Sequence, residues 1–208
     1  MVWHTVPRPV QMLFPKRTWE GDTLGNRVHL TFDDGPVVGV TEYVLNELAK
    51  RNQKATFFMV GDNIQKHPQL AGEVLNSGHG IGNHTFNHLN GWKTSDSDYL
   101  NNVLAFDRIL EEKLGVRTVF FRPPYGSLKS SQAQCILESK KIVMWNVLSG
   151  DYDRSISPAR ILDKTKENTR SGSIVVFHDQ QKTREVLPRV LPEFLDFLIE
   201  RGLETSLL

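Results

Sequence analysis

Short runs rich in β-branched and aromatic residues recur along the chain at 28–32, 55–60, 80–84, 118–122, 142–146, 173–178 and 203–207. Longer stretches of helical periodicity lie between them at 40–51, 69–76, 98–114, 130–140, 158–169 and 187–201. Alternation of strand and helix predicts an α/β fold of about seven parallel strands with the helices outside. Ile174-Val175-Val176-Phe177 is apolar at every position, as a strand buried on both faces should be. A length of 208 residues with 39% hydrophobic content suits one domain with a sizeable core. The first twenty or so residues are the least regular. Residues 1–27 are therefore expected to form an N-terminal extension packed on a domain spanning 28–208.

Chemistry-bearing residues stand where the predicted strands end. Asp33-Asp34 follow the first run, Asn83-His84 the third and Arg122 the fourth. Asp151 comes soon after the fifth, and His178-Asp179 close the sixth. In a parallel barrel these ends face one side, so residues distant in sequence would converge on one mouth. Adjacent carboxylates such as Asp33 and Asp34 repel, so a cation, a proton or an arginine must compensate them.

His84 and His88 stand four apart, a spacing that would bring both imidazoles to one side of a helical turn and suits a metal with nitrogen ligands. The segment lacks the glutamate of an HExxH protease motif. One carboxylate of the acid pair would complete a His₂Asp site with an open position for water. If Asp34 ligates, Asp33 is left beside the water as a general base, and Arg122 is suited to pair with it. The Pro123-Pro124 pair stiffens the next loop and leaves the Tyr125 backbone N–H to face a ligand as an oxyanion donor. His178, held by Asp151 or Asp179, would serve as general acid. Together these describe metal-assisted hydrolysis of an amide or ester, with Zn, Co, Ni or Mn all compatible with the donor set.

Composition narrows the partners. Lys plus Arg number 25 and Asp plus Glu 24, and this balance argues against nucleic acid and against a membrane-surface footprint. The opening MVWHTVPRPVQMLFPKRTW has no continuous apolar core and no small-residue cleavage site. Neither a secretory signal nor stable membrane insertion is expected from it; the location it predicts is cytoplasmic unless a leader has been trimmed or export is unusual. The single cysteine, Cys135, excludes an intrachain disulfide and is expected to be a small core residue.

The motifs resemble those of the NodB-homology polysaccharide deacetylases, carbohydrate esterase family 4. Thr31-Phe32-Asp33-Asp34-Gly35 matches the family's TFDDG, and His84-Thr85-Phe86-Asn87-His88 its H(S/T)xxH. Arg122-Pro123-Pro124-Tyr125 corresponds to RxPY, and Val176-Phe177-His178 to LxH with valine for leucine. The pattern looks most like short single-domain members of Bacteroidetes type. The resemblance implies a distorted (β/α) barrel, commonly of seven strands, and removal of acetyl from N-acetylated, less readily O-acetylated, sugars in a glycan, glycolipid or amino sugar. It implies Asp33 as base, Asp34, His84 and His88 as ligands of a divalent metal, zinc foremost, and His178 as acid. Arg122 would tune Asp33 and Asp151 would tune His178, with Val176 lining the acetyl pocket and Trp145 its wall. The fourth motif, DxxDW, departs: Leu148 stands for its first acid and Tyr152 for its tryptophan, while Asp151 keeps the second acid. That leaves the chemistry better defined than the groove. A cyclic amide or imide hydrolase, or a silent carbohydrate-binding module, are the alternatives.

His79, in a Gly-flanked turn, His67 and His29 read as structural, and Leu191, Phe194, Leu195 and Leu198 as a core stripe. Trp92 and Tyr125 are the aromatics placed to stack on a sugar or simply to pack.

Overall fold

A computed structural model describes residues 3–23 and 25–208. Among these residues eight strands and eight α-helices follow one another, mostly in alternation: α1 (Arg8–Leu13), β1 (Arg27–Asp33), α2 (Thr41–Lys50), β2 (Thr56–Met59), α3 (Gly61–Lys66), α4 (Pro68–Asn76), β3 (Gly80–Asn83), α5 (Asp96–Leu114), β4 (Phe120–Phe121), α6 (Ser130–Ile136), β5 (Lys141–Ile142), β6 (Val147–Leu148), α7 (Pro158–Asn168), β7 (Ile174–His178), α8 (Leu187–Glu200) and β8 (Glu204–Thr205). Seven strands run in the order β5-β4-β3-β2-β1-β7-β6, with β8 added beside the start of β1, and every pairing is parallel.

The connection between β5 and β6 shows that this sheet curls. These strands are its two edges, yet only residues 143–146 separate them. Five extended residue steps reach about 18 Å at most, whereas six strand spacings across a flat sheet come to about 29 Å. The edges must therefore approach each other, giving a half-closed barrel. The N-terminal segment lies in the gap: Thr5 bridges Val147, and Thr18 bridges Val143 through bonds from Thr18 N to Ile142 O and from Met144 N to Thr18 O. The run 142–146, expected as one strand, is mostly bend: only Ile142 belongs to β5, and residues 143–146 lead to β6. Short helices α1 and α3 were also not foreseen, since six residues are too few to show periodicity.

Helix α8 shows how the outer layer is fixed. Leu187, Val190, Leu191, Phe194, Leu195 and Leu198 recur at three- and four-residue spacing, and all are buried. Phe194 meets Phe177 of β7 at 5.4 Å between ring centroids, and Phe177 stacks on Phe32 of β1. Helix α6 instead turns Gln132, Ala133 and Ile136 inward, so Cys135 is exposed and not a core residue as expected. No helix among the described residues is long and apolar enough to cross a membrane.

Candidate active site

Strand register sets the first contacts. Asp33, the last residue of β1, lies opposite His178, the last of β7, on the neighbouring strand. Across the barrel end, Arg122 follows β4 and places Nη1 2.7 Å from Asp33 Oδ1. The Arg122 guanidinium is fully buried. It also donates to Thr31 Oγ1 at 2.8 Å, to Val143 O at 3.2 Å and to Met144 O at 2.9 Å, and lies 4.0 Å over the Phe58 ring. Burial lowers its pKa, and the Asp33 carboxylate opposes that shift. With its donors committed in a rigid fork, Arg122 fixes the orientation of Asp33.

Asp34 points elsewhere because its backbone turns into the left-handed region, φ 81°. Asn63, from α3, donates to the Asp34 carbonyl at 2.7 Å and holds that turn. Asp34 Oδ1 lies 3.0 Å from His88 Nε2 and 3.5 Å from His84 Nε2. It is nonetheless a buried oxygen without a well-formed hydrogen bond. The other nitrogen of each imidazole is occupied: His84 Nδ1 donates to Arg122 O at 2.8 Å, and His88 Nδ1 meets Tyr125 Oη at 3.1 Å. A carbonyl only accepts, so His84 carries a proton on Nδ1, and Nε2 is the nitrogen left to face Asp34 and a shared cation. One ligand atom from each of Asp34, His84 and His88 lies within 4.8 Å of the others. An orphaned carboxylate oxygen facing two imidazole nitrogens is what a divalent cation would satisfy, and these residues fit one. Burial disfavours the Asp34 charge, yet His84, His88 and the positive His178 hold its carboxyl well below the usual carboxylate range.

His84 and His88 do not share a helical turn, as their spacing suggested. They sit on an irregular loop after β3, where Thr85 and His88 both have positive φ. Asn83 Oδ1 accepts from Thr85 N, and Asn102 Oδ1 from Phe86 N and Asn87 N. Asp34, Thr85, His88 and Tyr125 are four of the five non-glycine positive-φ residues among those described. Such strain gathers where a site over-determines the backbone.

His178 donates from Nδ1 to Asp151 Oδ1 at 2.8 Å, and its backbone N–H bonds Asp151 Oδ2 at the same distance. Burial opposes the imidazolium, but the Asp151 carboxylate outweighs it, with Asp34 and Asp33 adding, and raises His178 to about 9. Asp151 follows β6, a strand the sequence did not disclose, and not a strand at 142–146. Tyr152 sets its ring edge-on to His178, 5.0 Å between centroids. A cleft of about 680 Å³ gathers Asp33, Asp34, His84, His88 and His178 with Tyr125, Trp145, Leu148, Tyr152 and Val176 along its walls. Arg122 and Asp151 lie behind it, reaching it through Asp33 and His178.

Asp179, the other candidate partner of His178, turns away. Its carboxylate accepts from Gly35 N at 3.1 Å and Thr41 Oγ1 at 2.6 Å, so it braces the loop after Asp34. Burial, with the Asp34 charge adding, pushes it up to about 8. Asp179 and Asn63 therefore position Asp34, and neither role was legible in sequence; the adjacency of Asp179 to His178 was the only signal. His79 is buried, accepts from Ala55 N and is lowered to about 4 by burial. His29 bonds Leu207 O and His67 precedes α4, and neither belongs to the metal-ligand cluster.

A Bacillus cereus peptidoglycan-N-acetylglucosamine deacetylase is 34% identical over 172 residues, covering 80% of this chain and 62% of its own length. A second from the same organism is 34% identical over 182 residues, covering 85% of both chains. The chain thus spans less than two thirds of the first relative. A solved peptidoglycan N-acetylglucosamine deacetylase, Bc1960, superposes with a TM-score of 0.86 at 30% identity, covering 97% of this chain and 95% of that one. The polysaccharide deacetylase family model matches residues 20–142, which hold the acid pair, both histidines and Arg122, while Asp151 and His178 lie beyond it. On that match, and on relatives that share a third of their residues over most of its length, the chain belongs to the polysaccharide deacetylase family.

Proposed function

We propose that this protein is a metal-dependent hydrolase that removes acetyl groups from N-acetylated sugars. The observation that carries this reading is the orphaned Asp34 Oδ1 facing His84 and His88, beside an Arg122-held Asp33 and within the same cleft as His178. Relatives named peptidoglycan-N-acetylglucosamine deacetylases favour an amino sugar within a glycan as substrate. An O-acetyl ester is the lesser alternative.

Asp34, His84 and His88 would hold the cation, zinc foremost, with cobalt, nickel and manganese also suited to a His₂Asp donor set. When bound, a divalent cation supplies a Lewis acid that polarises the acetyl carbonyl and acidifies the attacking water. Asp33 takes the proton of that water as it adds to the carbonyl carbon, and Arg122 keeps the base aimed. The Tyr125 N–H, on a left-handed turn at the cleft wall, donates to the developing oxyanion. His178 gives its proton to the departing nitrogen as the C–N bond breaks, and Asp151 fixes its tautomer. Val176 and Trp145 border the place of the acetyl methyl, while Tyr152 and Leu148 shape the side altered from the family's fourth motif.

In the same reading, 28–208 is the catalytic domain and 1–27 an extension packed on it, supported by the bridges from Thr5 and Thr18. The test is acetate release from N-acetylglucosamine oligomers with Zn, Co or Ni supplied. Absence of acetate across a panel of acetylated glycans would sink the reading, and turnover of cyclic amides or imides instead would replace it.

A further inference from the structure

A second hollow, of about 460 Å³, lies across the Tyr125–Gly126 turn from the catalytic cleft. Pro123, Tyr125 and Trp145 face the cleft, whereas Gly126, Leu128 and Met144 face the hollow. The wall is thin: a Cβ on Gly126 would lie 3.0 Å from Trp145 and 3.6 Å from Met144.

The hollow is rigid and aromatic. Trp92 is 67% exposed on one side of it, yet its backbone is pinned. Asn90 Oδ1 accepts from Trp92 N and Lys93 N, Gln132 Nε2 donates to Gly91 O at 3.0 Å, and a Cβ on Gly91 would meet Ser127 O at 2.5 Å. An exposed indole on a fixed turn loses little freedom when it stacks on a ligand. The N-terminal segment supplies the other side. Trp19 Nε1 bonds Phe14 O, and the Arg17 guanidinium lies 4.2 Å over the Phe14 ring. Arg17 is half-buried, and burial lowers its pKa. Among the described residues the guanidinium makes one protein hydrogen bond, a long contact to Leu128 O at 3.5 Å, and no carboxylate lies within ion-pair reach of it. A partly desolvated guanidinium without a counter-charge favours an anion.

We propose that this hollow is a distal glycan subsite, seating a sugar beyond the one deacetylated and preferring a sugar that bears a carboxylate. The proposal rests on the deacetylase reading of the neighbouring cleft and names the substrate class as an extended, acidic glycan. The Tyr125–Gly126 turn sets the two hollows side by side, Trp92 supplies the flat face for a pyranose ring, and Arg17 the charge.

The test compares the full-length protein with Trp92→Ala, Trp92→Phe and Arg17→Gln. The substrates are short and long N-acetylglucosamine oligomers, and peptide-free glycan strands whose alternate sugars carry a lactyl carboxylate. Loss of one stacking face should raise KM for the long oligomers by about tenfold in Trp92→Ala. Turnover of the shortest oligomer should be unchanged, and Trp92→Phe should restore most of the loss. Arg17→Gln should raise KM about tenfold for the carboxylate-bearing strands and not for neutral oligomers. Unchanged KM on every substrate, or equal losses on short and long ones, would overturn the subsite. Calorimetric binding of the same oligomers reads the hollow independently of turnover. Length-dependent binding that Trp92→Ala abolishes supports it even if no acetate is released, an outcome that instead overturns the deacetylase reading. Trp92-dependent sedimentation with phosphatidylglycerol vesicles, without glycan binding, would assign the surface to a membrane and overturn the subsite.

Discussion

The His178–Asp151 pair makes the protein's stability depend on alkaline pH in a definite direction. The folded protein raises His178 from 6.5 to about 9, because Asp151, aided by Asp34 and Asp33, overcomes the cost of burying the charge. Below pH 6.5 the imidazole is protonated folded and unfolded, so its stabilising contribution is complete. Between 6.5 and about 9 only the folded chain keeps the proton, and stability falls as pH rises. A shift of this size is worth about 3 kcal/mol at 1.36 kcal/mol per unit. Asp179, pushed up to about 8 by burial, adds a loss of the same sign between its unfolded value of 3.8 and pH 8. The difference between wild type and Asp151→Asn therefore isolates the pair. In chelator-treated protein, the difference in unfolding free energy from urea titrations should shrink from pH 6 to pH 10, and the His178 ring should titrate near 9 by NMR. A cation held by Asp34 removes part of the negative charge that raises His178, so loading with zinc should move its titration downward. A His178 that titrates below 7 in the metal-free protein, or one that Asp151→Asn leaves unmoved, would refute this account.

The two acids should separate under mutation: Asp34→Asn should lose bound zinc by equilibrium dialysis, while Asp33→Asn should keep zinc and lose acetate release by about a hundredfold or more. If both variants lost metal alike, the assignment of base and ligand would be wrong. Asn63→Ala frees the Asp34 carbonyl and should weaken zinc affinity by about tenfold, read by competition with a chromophoric chelator. Gly35→Ala would drive a methyl to within 2.1 Å of Asp179 Oδ2; about 1–3 kcal/mol of stability should go, together with zinc binding, and an unchanged melting curve would show that Asp179 does not brace this loop.

Much of this protein was legible from residue types in order. Alternation of apolar runs with helical periodicity pointed to parallel strands, and the comparisons and the curled sheet agree with it. TFDDG and HTFNH carried the resemblance to the family, which the family model and the relatives then showed, and the acid pair by itself called only for a cation, a proton or an arginine to answer it. The two edge strands β5 and β6 were not told apart, since a four-residue bend between two-residue strands has no period to detect. The histidine pair misled for a related reason: a spacing of four suits a helical turn, but side chains from Asn83 and Asn102 hold this loop in another shape. Asn63 and Asp179 stayed unremarked because each acts on backbone brought near only by folding.

Sequence alone determined which donors exist and that they stand at strand ends. Tertiary structure decided how they divide the work. Adjacency cannot say which of Asp33 and Asp34 turns toward the histidines; the left-handed backbone at Asp34 and the buried Arg122 fork behind Asp33 decide it. It also decided that Asp151, and not the neighbouring Asp179, partners His178, because β6 pairs directly with β7 and the chain leaving β6 reaches the end of β7, while Asp179 is drawn away to Gly35 and Thr41. Both choices turn on backbone direction and on hydrogen bonds between distant segments, which no local pattern of residues encodes.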